Sequence, residues 1–288
     1  DTQKNTGIKL VLLGSSRLIL QEGLTESLAS RFEKIFMGHW SLQEMETAFG
    51  YDAATYAWFG GYPGAATMIQ DEARWKQYIK DALIETSILK DVLMLSRIEK
   101  PTLMKHLFEL GCLYSGQILS FTKIMGQLHE AGNTTTLSHY LSLLDTAGLL
   151  TGIEKYANNT IRKRSSSPKF QVYNNALISA QSTDTFEMVQ KDPAKWGRVV
   201  ESAVGVHLLN QSLTEHFELS YWREGSAEVD FILKKRDEII AIEVKSSKAA
   251  ITDGMRKFKT QFSPNKMLLV GPDGLPWEQF LKTDIASL

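Results

Sequence analysis

Two runs of alternating residues near the C-terminal end limit the fold more than anything else in the chain: Glu228-Val229-Asp230-Phe231-Ile232-Leu233 and Ile239-Ile240-Ala241-Ile242-Glu243-Val244-Lys245. A period of two gathers alternate side chains on one face only in an extended strand. The polar stretch Lys234-Lys235-Arg236-Asp237-Glu238 between them is short enough for a hairpin turn. An antiparallel pair is expected, with Val229, Phe231 and Leu233 on one face of the first strand and Glu228, Asp230 and Ile232 on the other. On the second strand Ile240, Ile242 and Val244 lie opposite to Ala241, Glu243 and Lys245. A turn centred between Arg236 and Asp237 sets Asp230 across from Glu243 and Glu228 across from Lys245. Two carboxylates with Cβ atoms roughly 5 Å apart destabilise a sheet unless a cation or a bound proton neutralises them.

Paired carboxylates of this kind suit a hard divalent cation. Mg²⁺ prefers oxygen ligands, keeps several waters and accepts substrate phosphate in its open positions. Asp230 and Glu243 are the expected ligands of Mg²⁺ or Mn²⁺, and Lys245, two residues along the same face, would stabilise a phosphorane or orient the attacking water. A third carboxylate, Glu201, sits in the apolar helical pattern Trp196-Gly197-Arg198-Val199-Val200-Glu201-Ser202-Ala203-Val204-Gly205-Val206. Its flanking glycines are four residues away on either side and share its helix face, so the helix could approach the sheet closely. The bland alternative is an ordinary Glu/Lys pair on a solvated strand face and a solvated helical Glu.

Glu201, Asp230 and Glu243-x-Lys245, in the order helix, strand, strand, resemble the PD-(D/E)XK superfamily of restriction-endonuclease-like and Holliday-junction-resolvase-like folds. Trp75-Lys76-Gln77-Tyr78-Ile79-Lys80-Asp81, Ile88-Leu89-Lys90-Asp91-Val92, Ser166-Ser167-Pro168-Lys169 and Gly225-Ser226-Ala227-Glu228-Val229-Asp230-Phe231 are similar to the domain of unknown function that follows the ATPase module in a large prokaryotic family of AAA+ proteins. The resemblance covers nearly the whole chain. It implies a nuclease-like role for Glu201, Asp230, Glu243 and Lys245, and ATP binding by the parent protein.

With 288 residues and 43% apolar content the chain is long enough for about two domains with real cores. Its one cysteine, Cys112, excludes an intrachain disulfide. No apolar run approaches the ~18 residues of a membrane span, and no signal peptide opens the chain, so a cytoplasmic location is expected. A net charge of −1 excludes a generally basic nucleic-acid coat and restricts DNA contact to local patches.

Toward the N-terminus, Ile8 to Leu13 reads as a short strand running into Gly14-Ser15-Ser16, followed by a helical stretch with Arg31 and later by Gly60-Gly61-Tyr62-Pro63. The order is similar to the last strand and lid of the family's ATPase module, which implies nucleotide-sensing roles for Ser15, Ser16 and Arg31. A buried strand, a turn and a surface arginine are the plain alternative. There is no G-x-x-x-x-G-K-[ST] loop and no apolar strand ending in an acidic pair, so ATP hydrolysis is expected only with the ATPase part that this chain lacks. The start at Asp1 on an apparent late sheet strand agrees with a fragment or processed form.

Residues 71–100 carry helical apolar spacing, and 101–175 have the order of a winged helix. Its helices are expected over 103–113, 121–128 and 134–144, and its wing strands over 149–153 and 170–173. The third helix exposes Thr135, Thr136, Ser138, His139 and Ser142 but no Arg or Lys for guanine. Between Lys155 and Lys169 lie five basic residues, Lys155, Arg162, Lys163, Arg164 and Lys169, and no acid. That patch suits phosphate contact without base choice; a solvated basic loop on a packing or dimerisation domain is the alternative. From 185 to 288 the order is helix, three strands, helix, strand.

The expected architecture is a mixed α/β, multi-domain chain: an ATPase remnant over 1–70, a helical linker over 71–100, a winged helix over 101–175 and a restriction-endonuclease-like unit over 185–288. Its expected function is a Mg²⁺-dependent nuclease-like module with DNA as partner. A DNA-binding or regulatory module without catalysis, and a self-associating assembly module, are the alternatives.

Overall fold

A computed structural model describes residues 11, 33, 35–87, 92, 98–128, 133–157, 166–246 and 252–288. Ser15, Ser16 and Arg31, the expected strand before them apart from Val11, and Arg162, Lys163 and Arg164 lie outside the described residues.

The chain is mixed α/β. Helices α1 (Leu42–Phe49) and α2 (Ala53–Phe59) lead through a 3₁₀ turn to α3 (Glu72–Tyr78). Ser41 closes a reciprocal capping box with Glu44, and Asp52 and Asp71 cap the next two helices through their carboxylates. After Tyr78 the helix widens to a π-helix over Ile79–Glu85, so the stretch expected as one regular helix changes its winding midway. Helices α4 (Pro101–Leu113), α5 (Phe121–Gln127) and α6 (Thr134–Thr146) follow, then strands β1 (Leu150–Lys155) and β2 (Lys169–Val172). On α6, Leu137, Tyr140, Leu141 and Leu144 are buried at helical spacing while Thr135, Ser138, His139 and Ser142 face solvent.

After α7 (Ala176–Ser179) and α8 (Phe186–Lys191) comes α9 (Pro193–Glu215), the longest helix described. Pro193 occupies its first turn, where the missing N–H costs nothing, and Asp192 accepts from the backbone N–H groups of Ala194 and Lys195 at 3.0 and 3.1 Å. Every residue from Ser202 to Leu209 is buried. A helix covered on all sides belongs inside the molecule, and α9 packs against α2, β2 and β3.

Strands β3 (Glu218–Glu224), β4 (Ala227–Lys235), β5 (Glu238–Val244) and β6 (Lys266–Val270), with α10 (Asp253–Phe262) between the last two and α11 (Trp277–Phe280) after them, complete the fold. Six strands form one sheet among the described residues, in the order β2-β1-β3-β4-β5-β6. β1 pairs antiparallel with β2 and parallel with β3. The strands expected as a separate wing are thus hydrogen-bonded into the sheet that carries the hairpin.

The hairpin adopts the expected turn, with Arg236 in the left-handed region at φ 57°, and the ladder runs Lys235 to Glu238, Lys234 to Ile239, Leu233 to Ile240, Ile232 to Ala241 and Phe231 to Ile242. The facing pattern of β4 differs from strict alternation. Against β3, Ser220 pairs with Ile232 but Trp222 pairs with Val229, so Asp230 and Phe231 together oppose Tyr221. This β-bulge moves Val229 away from Phe231 and Leu233: Val229 packs with Ile232, Trp222, Met255 and Phe258 on the α10 side, while Phe231 and Leu233 join the main core. The expected grouping of Val229 with Phe231 fails because an extra residue in the strand inverts every side chain beyond it.

Candidate functional site

Asp230 sits at that bulge. The β4–β5 ladder stops at Phe231 and Ile242, and beyond it the Asp230 side chain takes over, its Oδ2 accepting from the Val244 N–H at 2.8 Å. Bulges re-aim side chains at strand ends, and this one leaves Asp230 buried, at 9% exposure.

Glu243, across the hairpin, is 3% exposed. Its Oε1 meets Lys245 Nζ at 2.8 Å, whereas its Oε2 is buried without a hydrogen-bond partner. Burial, then the Asp230 charge, push the Glu243 carboxyl up to about 7 against the pull of Lys245. Lys245 therefore pairs along its own strand. Glu228, expected across from Lys245, has its ion pair with Arg223 of β3, at 3.9 Å. Burial and the Asp230 charge also raise the Glu228 carboxyl, with Lys169, Arg223 and Lys245 opposing.

Helix α9 brings in Glu201, and its two glycines make the approach possible. A Cβ at Gly197 would stand 2.7 Å from Ser246 Oγ; one at Gly205 would overlap the Gln171 amide and reach the Phe231 ring at 3.0 Å. The next residue, Ser202, anchors the helix in a buried polar network. Its hydroxyl is 2.9 Å from Asn175 Oδ1 and 2.9 Å from Ser115 Oγ, while Gln171 Nε2 donates to its carbonyl at 3.1 Å.

The residue that sequence reasoning placed wrongly is Lys169. As the last member of a basic loop it was expected to meet phosphate, but as the first residue of β2 it is fully buried. Its Nζ lies 2.8 Å from Glu201 Oε1, 3.3 Å from the Asp230 carbonyl and 3.7 Å from Asp230 Oδ1, and 4.5 Å above the Phe231 ring. Strand pairing turns it inward, where two carboxylates repay its desolvation. Burial alone would lower the Lys169 pKa, but Glu201 and Asp230 hold it above the usual lysine value. Glu201 is raised by burial, with Lys169 opposing and Asp230 adding to the rise. The available signal was that Lys169 closes one of the four stretches carrying the family resemblance. Lys155 stays apart from the cluster: half-buried at the end of β1, it pairs with Tyr221 in the parallel ladder.

The cluster therefore contains Glu201, Glu228, Asp230 and Glu243 facing Lys169 and Lys245, with Arg223 at the rim. Carboxylates outnumber the buried ammonium groups, and one buried carboxylate oxygen has no partner. Among the described residues no three His, Cys, Asp or Glu side chains gather as a ready-made metal cage. Asp230 and Glu243 offer oxygen donors of the kind that Mg²⁺ takes, an ion that binds through one or two carboxylates and fills its other positions with water and phosphate.

Residues 50–187 match the model of a domain of unknown function, DUF8612, and residues 196–275 match that of a second, DUF4143. Lys169 belongs to the first segment and the other site residues to the second. An uncharacterized protein of Haemophilus influenzae is 22% identical over 244 residues, covering 82% of this chain. The chain spans 58% of that relative's length. No solved structure matches. No helix among the described residues is long and apolar enough to cross a membrane.

Proposed function

We propose that this chain carries a metal-dependent, nuclease-type phosphodiesterase site within the C-terminal part of a AAA+ type ATPase. The observation that supports it best is the buried Asp230 and Glu243 pair, with an unpartnered Glu243 oxygen, held beside Lys245 and Glu201. Asp230 and Glu243 would hold Mg²⁺ or Mn²⁺, which when bound supplies Lewis-acid polarisation of a phosphoryl oxygen and a water of lowered pKa.

The protein's own groups would do the positioning. Val244 N–H fixes Oδ2 of Asp230, leaving Oδ1, whose only polar contact among the described residues is Lys169 Nζ at 3.7 Å, for a ligand. Lys245 fixes Glu243 Oε1 and, one third exposed, presents its ammonium where negative charge develops on a phosphate. Glu201, on the helix side, would orient water toward phosphorus. Arg162, Lys163 and Arg164, with Lys155, would supply backbone contacts to DNA, and ATP would act through the ATPase part of the whole protein. Support for that context comes from the family resemblance.

A second reading rests on the two lysines. Each already neutralises a carboxylate, as a retained but non-catalytic fold serving DNA binding, regulation or assembly of the ATPase would require.

Incubation of the protein with single- and double-stranded DNA and RNA in Mg²⁺ or Mn²⁺ separates the two. Cleavage should fall by about 10²-fold or more in Glu243→Ala and in Lys245→Ala. Turnover unchanged in those variants would sink the catalytic assignment, and salt-dependent DNA binding without any turnover would establish the second reading.

A further inference from the structure

Lys169 is the one residue of the cluster supplied from outside the segment that carries the others, and its surroundings are unusual. Its ammonium is fully buried, so it must be compensated locally. Glu201 Oε1 at 2.8 Å, Asp230 Oδ1 at 3.7 Å and the Asp230 carbonyl at 3.3 Å provide that compensation, and the Phe231 ring at 4.5 Å closes another side. Those oxygens are of the hard type that a divalent cation takes. Two oxygens of the cluster remain incompletely partnered: Glu243 Oε2 has no partner, and Asp230 Oδ1 has only the long contact to Lys169.

We propose that Lys169 is a built-in cation occupying the place between Glu201 and Asp230 that a second metal ion would need, and so limits the site to one divalent cation between Asp230 and Glu243. The inference rests on the metal reading of this site and deepens it. Two-metal sites clamp both the attacking and the leaving oxygen of a phosphodiester; here an ammonium that cannot dissociate takes one of the two positions. Lys169 acts through Glu201 and Asp230, as a positioning residue, and it ties residues 50–187 to the chemistry of residues 196–275.

The test counts ions on the full chain, by calorimetric titration with Mn²⁺ and by the paramagnetic resonance of free Mn²⁺. Wild type and Lys169→Arg should bind one ion. Lys169→Met, which keeps the length and removes the charge, should bind two, because Glu201 and Asp230 are then left as an uncompensated buried pair. If Lys169→Met does not fold alone, millimolar Mn²⁺ should restore its melting transition, a rescue that loss of packing would not show. The double variant Lys169→Met/Glu201→Gln, which removes one charge of each sign, should return to one ion. One ion of unchanged affinity in Lys169→Met, or an unfolded Lys169→Met that Mn²⁺ does not rescue, overturns the proposal. No ion in wild type but one in Lys169→Met overturns the metal reading of the native site while upholding exclusion by Lys169; no ion in either overturns both.

Discussion

His207 lies on the α9 face turned away from the acidic cluster, and it is the residue whose ionisation bears most clearly on stability. It is buried at 6% exposure, its Nε2 is 2.9 Å from the Thr283 carbonyl and its ring meets that of Phe280 edge-on. Burial holds its pKa down to about 4, below the usual 6.5, against the pull of Thr283 and Asp284. A depressed folded-state value means that the unfolded chain binds the proton more readily. The contribution is therefore fully present above pH 6.5 and is lost as pH falls toward 4. The loss amounts to roughly 3 kcal/mol over that window. His207→Asn should flatten the acid limb of a stability profile measured by denaturant unfolding, and an unchanged slope between pH 7 and 4 would show that the folded protein takes up a proton at His207 as readily as the unfolded chain does. His207 carries no sequence signal of burial beyond its place in an apolar helix. The hairpin register up to Phe231 and Ile242, which brings Asp230 and Glu243 to the same end of the ladder, was legible because register follows from turn length. The inward turn of Lys169 was not, since its carboxylate partners are 32 and 61 residues further along the chain.

Among the elements, α9 shows how a local pattern becomes a site. Its Asp192 cap, Pro193 and apolar helical pattern make the helix from sequence alone, and Gly197 and Gly205 let it come close to Ser246, just past β5, and to Gln171 and Phe231 of the sheet. In an exposed helix Gly→Ala stabilises by about 1 kcal/mol. At Gly205 the sign should reverse, because the new methyl group overlaps the Gln171 amide and crowds Phe231. We expect Gly205→Ala to cost about 1–3 kcal/mol in urea unfolding and to loosen the Lys169–Glu201 contact, raising Lys169 mobility in methylene NMR. A stabilised Gly205→Ala protein would mean that the helix does not need this approach. The β4 bulge is the opposite kind of element. Periodicity reads strict alternation there, and only pairing with β3 reveals the extra residue.

For the whole molecule, a single buried cluster runs from Leu42 to Ile285, with a smaller one between α10 and the far sheet face. Asn175 joins distant segments of that cluster: its Nδ2 donates to the carbonyls of Ala57 at 2.7 Å and Val199 at 3.1 Å, and its Oδ1 accepts from Ser202 at 2.9 Å. Asn175→Ala would strand these groups in the interior, at a cost of about 3 kcal/mol. Because they belong to one core, the loss should appear as a lower midpoint in one calorimetric transition. A two-step transition would show that residues before and after Asn175 unfold independently. The sequence by itself determined the three helices between 101 and 146, the strands and the hairpin register from Lys235–Glu238 to Phe231–Ile242, because caps, periodicity and turn length act within a few residues. Only the tertiary structure decided that β1 and β2 extend the hairpin's sheet, that a bulge aims Asp230 at Val244, and that Lys169 lies among the carboxylates. These depend on which strands pair across long loops, a choice made by the burial and charge compensation of the whole core, to which no local pattern has access.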